Sequence, residues 1–147
     1  MDEKRVKNPI GFTDLIGARG VSKSDPRIQL LGAIDEASAA LSLAKAFLPD
    51  SEVVELLTVC QRNLSHLMGF NARIGTEKVQ SEDPGFFAPE LLDLESELEA
   101  LRSKVEMPNR FIFPGESKTT GSLDMARAIV RRAERELNAG YDYLGVE

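Results

Sequence analysis

Four arginines and one glutamate near the C-terminal end have the chemical types and the spacing to bind an anion. We call Arg127, Arg131, Arg132 and Arg135 the arginine row, and Glu134 lies among them. At about 100° per helical residue, Arg127, Arg131 and Glu134 fall within about 60° of one another. Guanidinium groups beside an orienting carboxylate suit the capture of a polyphosphate. A solvated basic face on an amphipathic helix is the plainer alternative.

The arginine row is predicted to lie on a helix with one packed face. A turn at Pro114-Gly115 leads to Ser117, which is a good N-cap, and the helix is predicted to end before Gly140, a plausible C′ glycine. Between these limits apolar residues repeat at heptad spacing: Leu123, Ala126, Val130, Ala133 and Leu137.

Three further helices are predicted upstream. Asp25-Pro26 begins the first, which runs to about Leu48 and is stopped by Pro49, and Ser51 caps the second. A polar connection over 75–89 precedes the third helix, which runs from about Pro89 to Val105. Their apolar seams are Leu30, Ile34, Ala37, Leu41, Ala44 and Leu48; Val53, Leu57, Cys60, Leu64 and Leu67; and Leu91, Leu94, Leu98, Leu101 and Val105. We therefore predict an all-α, up-down bundle of four long helices, ferritin-like in architecture, over residues 25–140 of a single 1–147 domain.

Length and composition exclude several classes of protein. The chain has 147 residues, of which 42% are hydrophobic and 29% charged, as in an ordinary soluble domain. A net charge of −6 argues against a general nucleic-acid or membrane-surface binder, so an anion site must be local. The single cysteine, Cys60, excludes an internal disulfide framework. Without an apolar run of membrane-spanning length or a signal peptide, a cytoplasmic location is expected.

Residues 1–24 are predicted to form an irregular N-terminal arm. The arm contains three glycines and several cations, namely Gly11, Gly17, Gly20, Lys7, Arg19 and Lys23. Glycine lets backbone N–H groups approach a phosphate, and the cations supply positive charge. The segment lacks the P-loop motif. A flexible basic arm, which would have a similar sequence, is the alternative.

Asp35 lies inside the first predicted helix, where aspartate is a poor helix former. Helical geometry places it on a second face with Ile28, Leu31, Ala39 and Ser42. These small and apolar neighbours suggest that the face is covered, with another subunit as the candidate. A partly buried Asp35 would need a cation such as those of the arginine row, whereas a surface carboxylate is the alternative.

Four segments in order resemble the PduO-type ATP:cob(I)alamin adenosyltransferases. They are Ser22-Lys-Ser-Asp-Pro-Arg27, Gly32-Ala-Ile-Asp-Glu36, Phe111-Ile-Phe-Pro-Gly-Glu-Ser117 and Ala126-Arg-Ala-Ile-Val-Arg-Arg-Ala-Glu-Arg135. The resemblance implies a five-helix bundle that assembles as a homotrimer, with ATP bound between subunits. It also implies transfer of the 5′-deoxyadenosyl group of ATP to the cobalt of reduced corrinoid (cobalamin), with triphosphate release, Mg²⁺ as an aid and possibly a reductase partner.

The resemblance also implies roles for individual residues. The run Arg131 to Arg135, including Arg132, Ala133 and Glu134, would grip ATP, with Glu134 holding the arginines or Mg²⁺. The N-terminal nucleotide contacts would be Lys7, Asn8, Thr13, Asp14 and Lys23. Arg127 and Asp35 would pair between subunits. Phe111 would pack on the lower face of the corrin and exclude its dimethylbenzimidazole. The implied catalytic set is thus Arg127, Arg131, Arg132, Glu134 and Asp35, with no dedicated protein metal site.

Two departures from the family keep an alternative open. Lys7, Asn8 and Pro9 stand where the family usually has Thr-Gly-Asp, and Pro9 has no backbone N–H. The sequence also stops at Glu147, before the family's last helix and the asparagine that contacts the nucleotide. A catalytically weakened paralogue that binds nucleotide or corrinoid is the alternative function. A di-iron bundle is excluded because no Glu-x-x-His motif occurs, and a purely structural trimer is disfavoured by the cost of burying the arginine row.

Overall fold

The computed structural model describes residues 8–49, 51–74 and 88–145, with only the backbone described for 88–92. The order of elements is β1 (Phe12–Leu15), β2 (Ala18–Ser22), α1 (Pro26–Ala46), α2 (Glu52–Asn71), α3 (Ala88–Ser103) and α4 (Lys118–Leu144). The predicted all-α bundle of four long helices is confirmed. Most of the predicted 75–89 connection lies outside the described residues. None of the helices in the described ranges is both long and apolar enough to cross a membrane.

Helix α1 begins at the predicted cap. The Asp25 carboxylate accepts a hydrogen bond from the Arg27 backbone N–H at 2.9 Å, and Pro26 follows the cap, where a missing N–H costs nothing. The Arg27 guanidinium also donates to the same carboxylate, from Nε at 2.9 Å and from Nη2 at 2.8 Å. These hydrogen bonds from Arg27 hold the pKa of Asp25 below its ordinary value. These hydrogen bonds fix the conformation of the chain where it enters α1.

The core lies where α1 meets α4 and α2. Leu30 and Ile34 of α1 are fully buried, and Ala126 and Ala133 of α4, which packs on α1, are buried as well. Alanines at these positions let the two helix backbones approach closely, as ridge-into-groove packing requires. Helix α2 contributes half-buried side chains to one end of this core, where burial raises the pKa of the Cys60 thiol. The predicted seams of α1 and α4 are thus confirmed as packed faces.

A polar clamp joins α2 to α1. The Gln61 side-chain amide donates to the Ser38 carbonyl oxygen at 3.0 Å and to the Ser42 hydroxyl at 2.7 Å. Its Oε1 accepts from Lys45 Nζ at 2.9 Å. Both ends of the amide are therefore satisfied, which fixes the rotation of α2 relative to α1.

Helix α4 begins as predicted but does not end as predicted. Ser117 and Thr120 form a reciprocal capping box, with side-chain to backbone distances of 3.1 and 3.0 Å. The helix passes through Gly140 and ends at Gly145, whose φ of +64° is the left-handed cap conformation. Gly140 is instead buried against α1: a Cβ at this position would lie 2.9 Å from both Cγ and Cδ1 of Leu30 and closer still to Cδ2. This glycine serves helix packing, not helix termination.

The described part of the N-terminal arm, residues 8–24, is not irregular as predicted, because β1 and β2 form an antiparallel hairpin there. The strands have only 4 and 5 residues, and Gly17 forms the turn with a φ of +82°. Strands this short, interrupted by glycines, carry too little alternation to be recognised from the sequence. The stability of the hairpin rests on cross-strand pairing that the sequence pattern does not reveal.

Helix α3 packs less than its leucine seam predicts. It contacts α2, and Lys104 Nζ, just after the end of α3, lies 2.7 Å from Oε2 of Glu52 at the start of α2. Leu94 and Leu101 are half-buried, whereas Leu98 keeps 50% of its surface exposed. Among its described residues, α3 is therefore the least anchored helix of the bundle.

The packing of Gly140 leads to a stability prediction. Replacing Gly140 by Ala should lower the free energy of unfolding by roughly 1–2 kcal/mol, because an overpacked methyl group outweighs the gain in helix propensity. Gly69 of α2 is the matched control, since the nearest atom to its Cβ would be Arg73 Nη2 at 4.0 Å. Gly69→Ala should be neutral or stabilising by up to about 1 kcal/mol. Urea denaturation measures both variants, and equal stabilisation by the two would contradict the packing role of Gly140.

Candidate active site

The arginine row lies on the outer surface of α4, beside its packed face. All four arginines and Glu134 are exposed, whereas Ala133 within the same run is buried with 3% exposure. The buried alanine anchors the helix against the bundle, so the guanidinium groups project outward from a fixed backbone. The periodicity argument for the arginine row therefore holds, while the side chain of Ala133 is turned away from any ligand on that surface.

Three members of the arginine row have partners within the chain. Arg127 donates to Asp124 Oδ1 from Nε at 3.0 Å and from Nη2 at 2.9 Å. Arg132 forms an ion pair with Glu36 of α1. Arg135 donates from Nη1 to the Arg131 carbonyl oxygen at 3.0 Å. These contacts orient the cations but remain exposed, so an anion could replace or share them at little cost.

Glu36, not Asp35, meets the arginine row within one chain. Asp35 is exposed in the single chain, and so are Ala39 and Ser42 on the same face, so cover of this face by another subunit stays a prediction. One helical residue is a rotation of about 100°, which is enough to direct Glu36 toward α4 and Asp35 away from it. Sequence reasoning missed Glu36, although its position one step from Asp35 in the first helix was the available signal. The pairing of Asp35 with Arg127 of another subunit stays a prediction.

An apolar cavity of about 650 Å³ joins the loop before α4 to the beginning of the arginine row. Its walls come from the aromatic loop and the first turns of α4, namely Phe111, Ile112, Phe113, Pro114, Glu116, Thr120, Leu123, Asp124 and Arg127. The Phe111 ring is 78% exposed and meets Phe113 edge to face, with centroids 5.2 Å apart. Phe111 and Arg127, which the sequence singled out for different reasons, thus share one cavity.

The hairpin holds the N-terminal candidates. Lys23 donates its backbone N–H to the Gly11 carbonyl oxygen at 2.8 Å, and its side chain is exposed. Thr13 is half-buried in β1, and Asp14 Oδ1 accepts from Asn8 Nδ2 at 3.0 Å. Lys7 lies outside the described residues. Within the described parts of the chain, the hairpin has no extensive contact with α4, so one chain does not bring the two groups of nucleotide candidates together.

A smaller groove of about 300 Å³ lies between α1 and α4 beside the Glu36–Arg132 ion pair. Its apolar walls include Leu43 and Met125, which are 54% and 58% exposed in the single chain. Large exposed apolar side chains on facing helices are typical of a surface that another molecule covers.

Comparison with known proteins identifies the family. The model of the cobalamin adenosyltransferase family matches residues 7–143, nearly the whole chain. The chain belongs to this family. Among similar curated proteins, the corrinoid adenosyltransferase PduO of Salmonella typhimurium is 33% identical over 129 residues, covering 86% of this chain and 38% of that protein. The corrinoid adenosyltransferase of Mycobacterium tuberculosis is 32% identical over 136 residues, covering 90% of this chain and 69% of that protein. This chain thus spans well under half the length of the PduO relative.

A solved member of the family has the same fold. It is a variant PduO-type ATP:corrinoid adenosyltransferase from Lactobacillus reuteri, complexed with cobalamin and ATP. The superposition has a TM-score of 0.71 at 26% identity and covers 88% of this chain and 72% of that one. The resemblance read from the four sequence segments is therefore confirmed at the level of family and fold.

The exposure of the Glu36–Arg132 ion pair leads to a prediction about its strength. Both side chains are at least half exposed, so a double-mutant cycle of Glu36→Ala and Arg132→Ala should give a coupling free energy below about 1 kcal/mol. The Glu52–Lys104 pair, of similar exposure, is the matched control and should couple equally weakly. A coupling above about 2 kcal/mol at Glu36–Arg132 alone, measured by urea denaturation, would show that Arg132 has a structural role.

Proposed function

We propose that this chain transfers the 5′-deoxyadenosyl group of ATP to the cobalt of a reduced corrinoid, forming adenosylcobalamin and releasing triphosphate. The observation that carries the proposal is the single cavity lined by both Phe111 and Arg127. A corrin ring needs a broad apolar wall, and a triphosphate needs guanidinium groups at its edge. Membership of the cobalamin adenosyltransferase family, together with a solved relative that is complexed with cobalamin and ATP, supports the same assignment.

The proposed reaction is a nucleophilic displacement at carbon C5′ of ATP. The electron pair of Co(I) forms the cobalt–carbon bond, the C5′–O bond breaks, and its electron pair leaves with the triphosphate. Because Co(I) is itself a strong nucleophile, the protein need not activate a serine, cysteine or histidine. Its contribution is to hold C5′ in line with cobalt and to stabilise the departing charge.

The arginine row is the proposed site of that charge stabilisation. Arg131, Arg132 and Arg135 would meet the triphosphate, and Glu134 would orient them. The arginine row is exposed, and exposed ion pairs contribute little to the free energy of unfolding. Replacing these pairs by contacts to phosphate would therefore cost the protein little stability. Loss of one such charged contact should reduce the rate by roughly 10² to 10³.

Phe111 is proposed to act on the corrinoid. Its exposed ring can pack on the lower face of the corrin and keep the dimethylbenzimidazole from cobalt. Without that ligand Co(II) is easier to reduce, which favours formation of the Co(I) nucleophile. A reductase partner that supplies the electron belongs to the same proposal.

We infer that the complete site is shared between subunits of a homotrimer. Three features of the single chain support this: in the described residues the hairpin has no extensive contact with α4, Asp35 is exposed, and the groove with Leu43 and Met125 is apolar and uncovered. Lys23 and Thr13 of one subunit would then face the arginine row of its neighbour, and Asp35 would pair with Arg127 across the seam. Because Cys60 is the only cysteine in this sequence, we place the reaction in the reducing cytoplasm.

Mg²⁺ is proposed to enter with ATP. In the described ranges no three His, Cys, Asp or Glu side chains cluster closely enough to hold a metal ion. The phosphate oxygens of ATP and water would supply most of its ligands, and Glu134 is the carboxylate within the run Arg131 to Arg135 that could contribute one. When bound, Mg²⁺ would offset part of the triphosphate charge.

An assay with ATP and chemically reduced cobalamin tests the proposal. Formation of the cobalt–carbon bond is followed by the absorbance of the corrinoid, and triphosphate is measured as the second product. We expect both products in equal amounts. Binding of ATP and corrinoid without either product would identify the weakened paralogue instead, and failure to bind either would exclude the function.

Arg132 should be required for ATP binding. Arg132→Ala should raise the dissociation constant of ATP at least tenfold in calorimetric titration, because a charged contact to phosphate is lost. Arg102→Ala, which removes an exposed arginine of α3, is the matched control and should leave the constant within twofold. An unchanged affinity in Arg132→Ala would remove the arginine row from the nucleotide site.

Phe111 should affect the corrinoid and not the nucleotide. Phe111→Ala should leave the ATP dissociation constant within about twofold and slow adenosylation of corrinoid presented as Co(II) with a reductant by at least tenfold. Adenosylation of corrinoid already reduced to Co(I) should slow less, since the reduction step is bypassed. Equal loss of ATP binding and of transfer would contradict the assignment.

A further inference from the structure

The hairpin contains a β-bulge opposite Asp14. Thr13 pairs with Val21, but the next pair is Leu15 with Ala18, so Asp14 alone lies opposite the two residues Arg19 and Gly20. Gly20 has a φ of +63°, a left-handed conformation that glycine adopts without the steric cost a side chain would add. A bulge of this kind takes one backbone N–H out of the regular ladder, and that donor needs another acceptor.

The Asp14 side chain supplies that acceptor. Its Oδ1 lies 3.0 Å from the Gly20 backbone nitrogen and 3.0 Å from Nδ2 of Asn8. One carboxylate therefore ties together β1, the bulge of β2 and the segment that leads into the hairpin. Hydrogen bonds to an ionised acceptor are stronger than neutral ones, which suits a surface hairpin that has little core of its own.

The bulge determines where Lys23 lies. Beyond it, Val21 is buried with 8% exposure, and the Lys23 backbone N–H bonds to the Gly11 carbonyl oxygen at 2.8 Å. In a strand, a shift of one residue moves every following side chain to the opposite face. A hairpin without the bulge would therefore expose Val21 and move the Lys23 side chain to the opposite face of the hairpin.

We propose that Asp14 is a positioning residue: its carboxylate holds the Gly20 bulge and thereby places Lys23 and Gly11 for the phosphates of ATP. The inference rests on the proposed function. It differs from the role expected from the sequence, in which Asp14 contacts the nucleotide itself. A carboxylate repels a triphosphate, whereas its two observed donors belong to the protein. Asp14 thus acts through Lys23, which bears the charge complementary to phosphate.

Two substitutions separate positioning from direct contact. Asp14→Ala removes the acceptor, and Asp14→Asn keeps an oxygen that can accept from Gly20 and Asn8 while it removes the charge. We expect the ATP dissociation constant from calorimetric titration to rise about tenfold in Asp14→Ala and no more than about threefold in Asp14→Asn. The rate of adenosylation at saturating ATP should stay within about twofold in both variants. Asp93→Ala, an exposed carboxylate of α3, is the control for a general loss of charge.

Amide hydrogen exchange followed by NMR gives a readout that does not depend on ATP. The Gly20 amide should be protected in the unaltered chain and in Asp14→Asn, and should exchange at least tenfold faster in Asp14→Ala. If both variants lose ATP binding equally, the charge itself contacts the ligand and the positioning role is overturned. Unchanged ATP binding or unchanged Gly20 protection in Asp14→Ala would also overturn it. If the unaltered chain binds no ATP, the proposed function fails first, and this inference fails with it.

Discussion

The close packing of α4 on α1 is the contact on which the rest of the structure depends. Leu30 occupies the space that a side chain at position 140 would need, and buried alanines at 126 and 133 keep the two helices close. Because interiors are close-packed, this interface leaves α4 little freedom to rotate about its axis. The same contact that builds the core therefore decides which residues of α4 face outward, and it directs the arginine row away from the bundle.

The outward position of the arginine row concentrates positive charge on one surface of an acidic chain. A chain with a net charge of −6 would repel a triphosphate in general, so attraction has to come from a local concentration of arginine. Arg127 and Arg132 are partnered by Asp124 and Glu36, which orient them while leaving them in contact with water. Exposed pairs of this kind contribute little to stability, and an incoming anion can replace them without disrupting the fold. Under the proposed function, such weak pairs suit a site that must bind and release a highly charged product.

Under the proposed function, the hairpin and the helices would contribute different parts of the ATP site. The bundle presents charge and an apolar wall on a rigid helix, whereas the hairpin offers backbone N–H groups and Lys23 on a small element ordered by its own hydrogen bonds. In the described residues of one chain the hairpin has no extensive contact with α4. The proposed trimer would unite them, and it would also cover the apolar groove between α1 and α4. Binding of ATP at such a seam would connect nucleotide affinity to subunit assembly.

The sequence by itself determined the helical class, the caps at Asp25 and Ser117, the packed seams of α1 and α4, and the position of the arginine row beside the packed face of α4. These features depend on residues within a few turns of one another, and the period of a helix can be read directly from the chain. Only the tertiary structure decided that Gly140 packs against Leu30 instead of ending α4, that Glu36 and not Asp35 meets Arg132, and that Asp14 faces a bulge at Gly20. Each of those outcomes depends on a partner from another strand or helix. Local patterns do not specify that partner, because the rotation and register of packed elements are settled only when they meet.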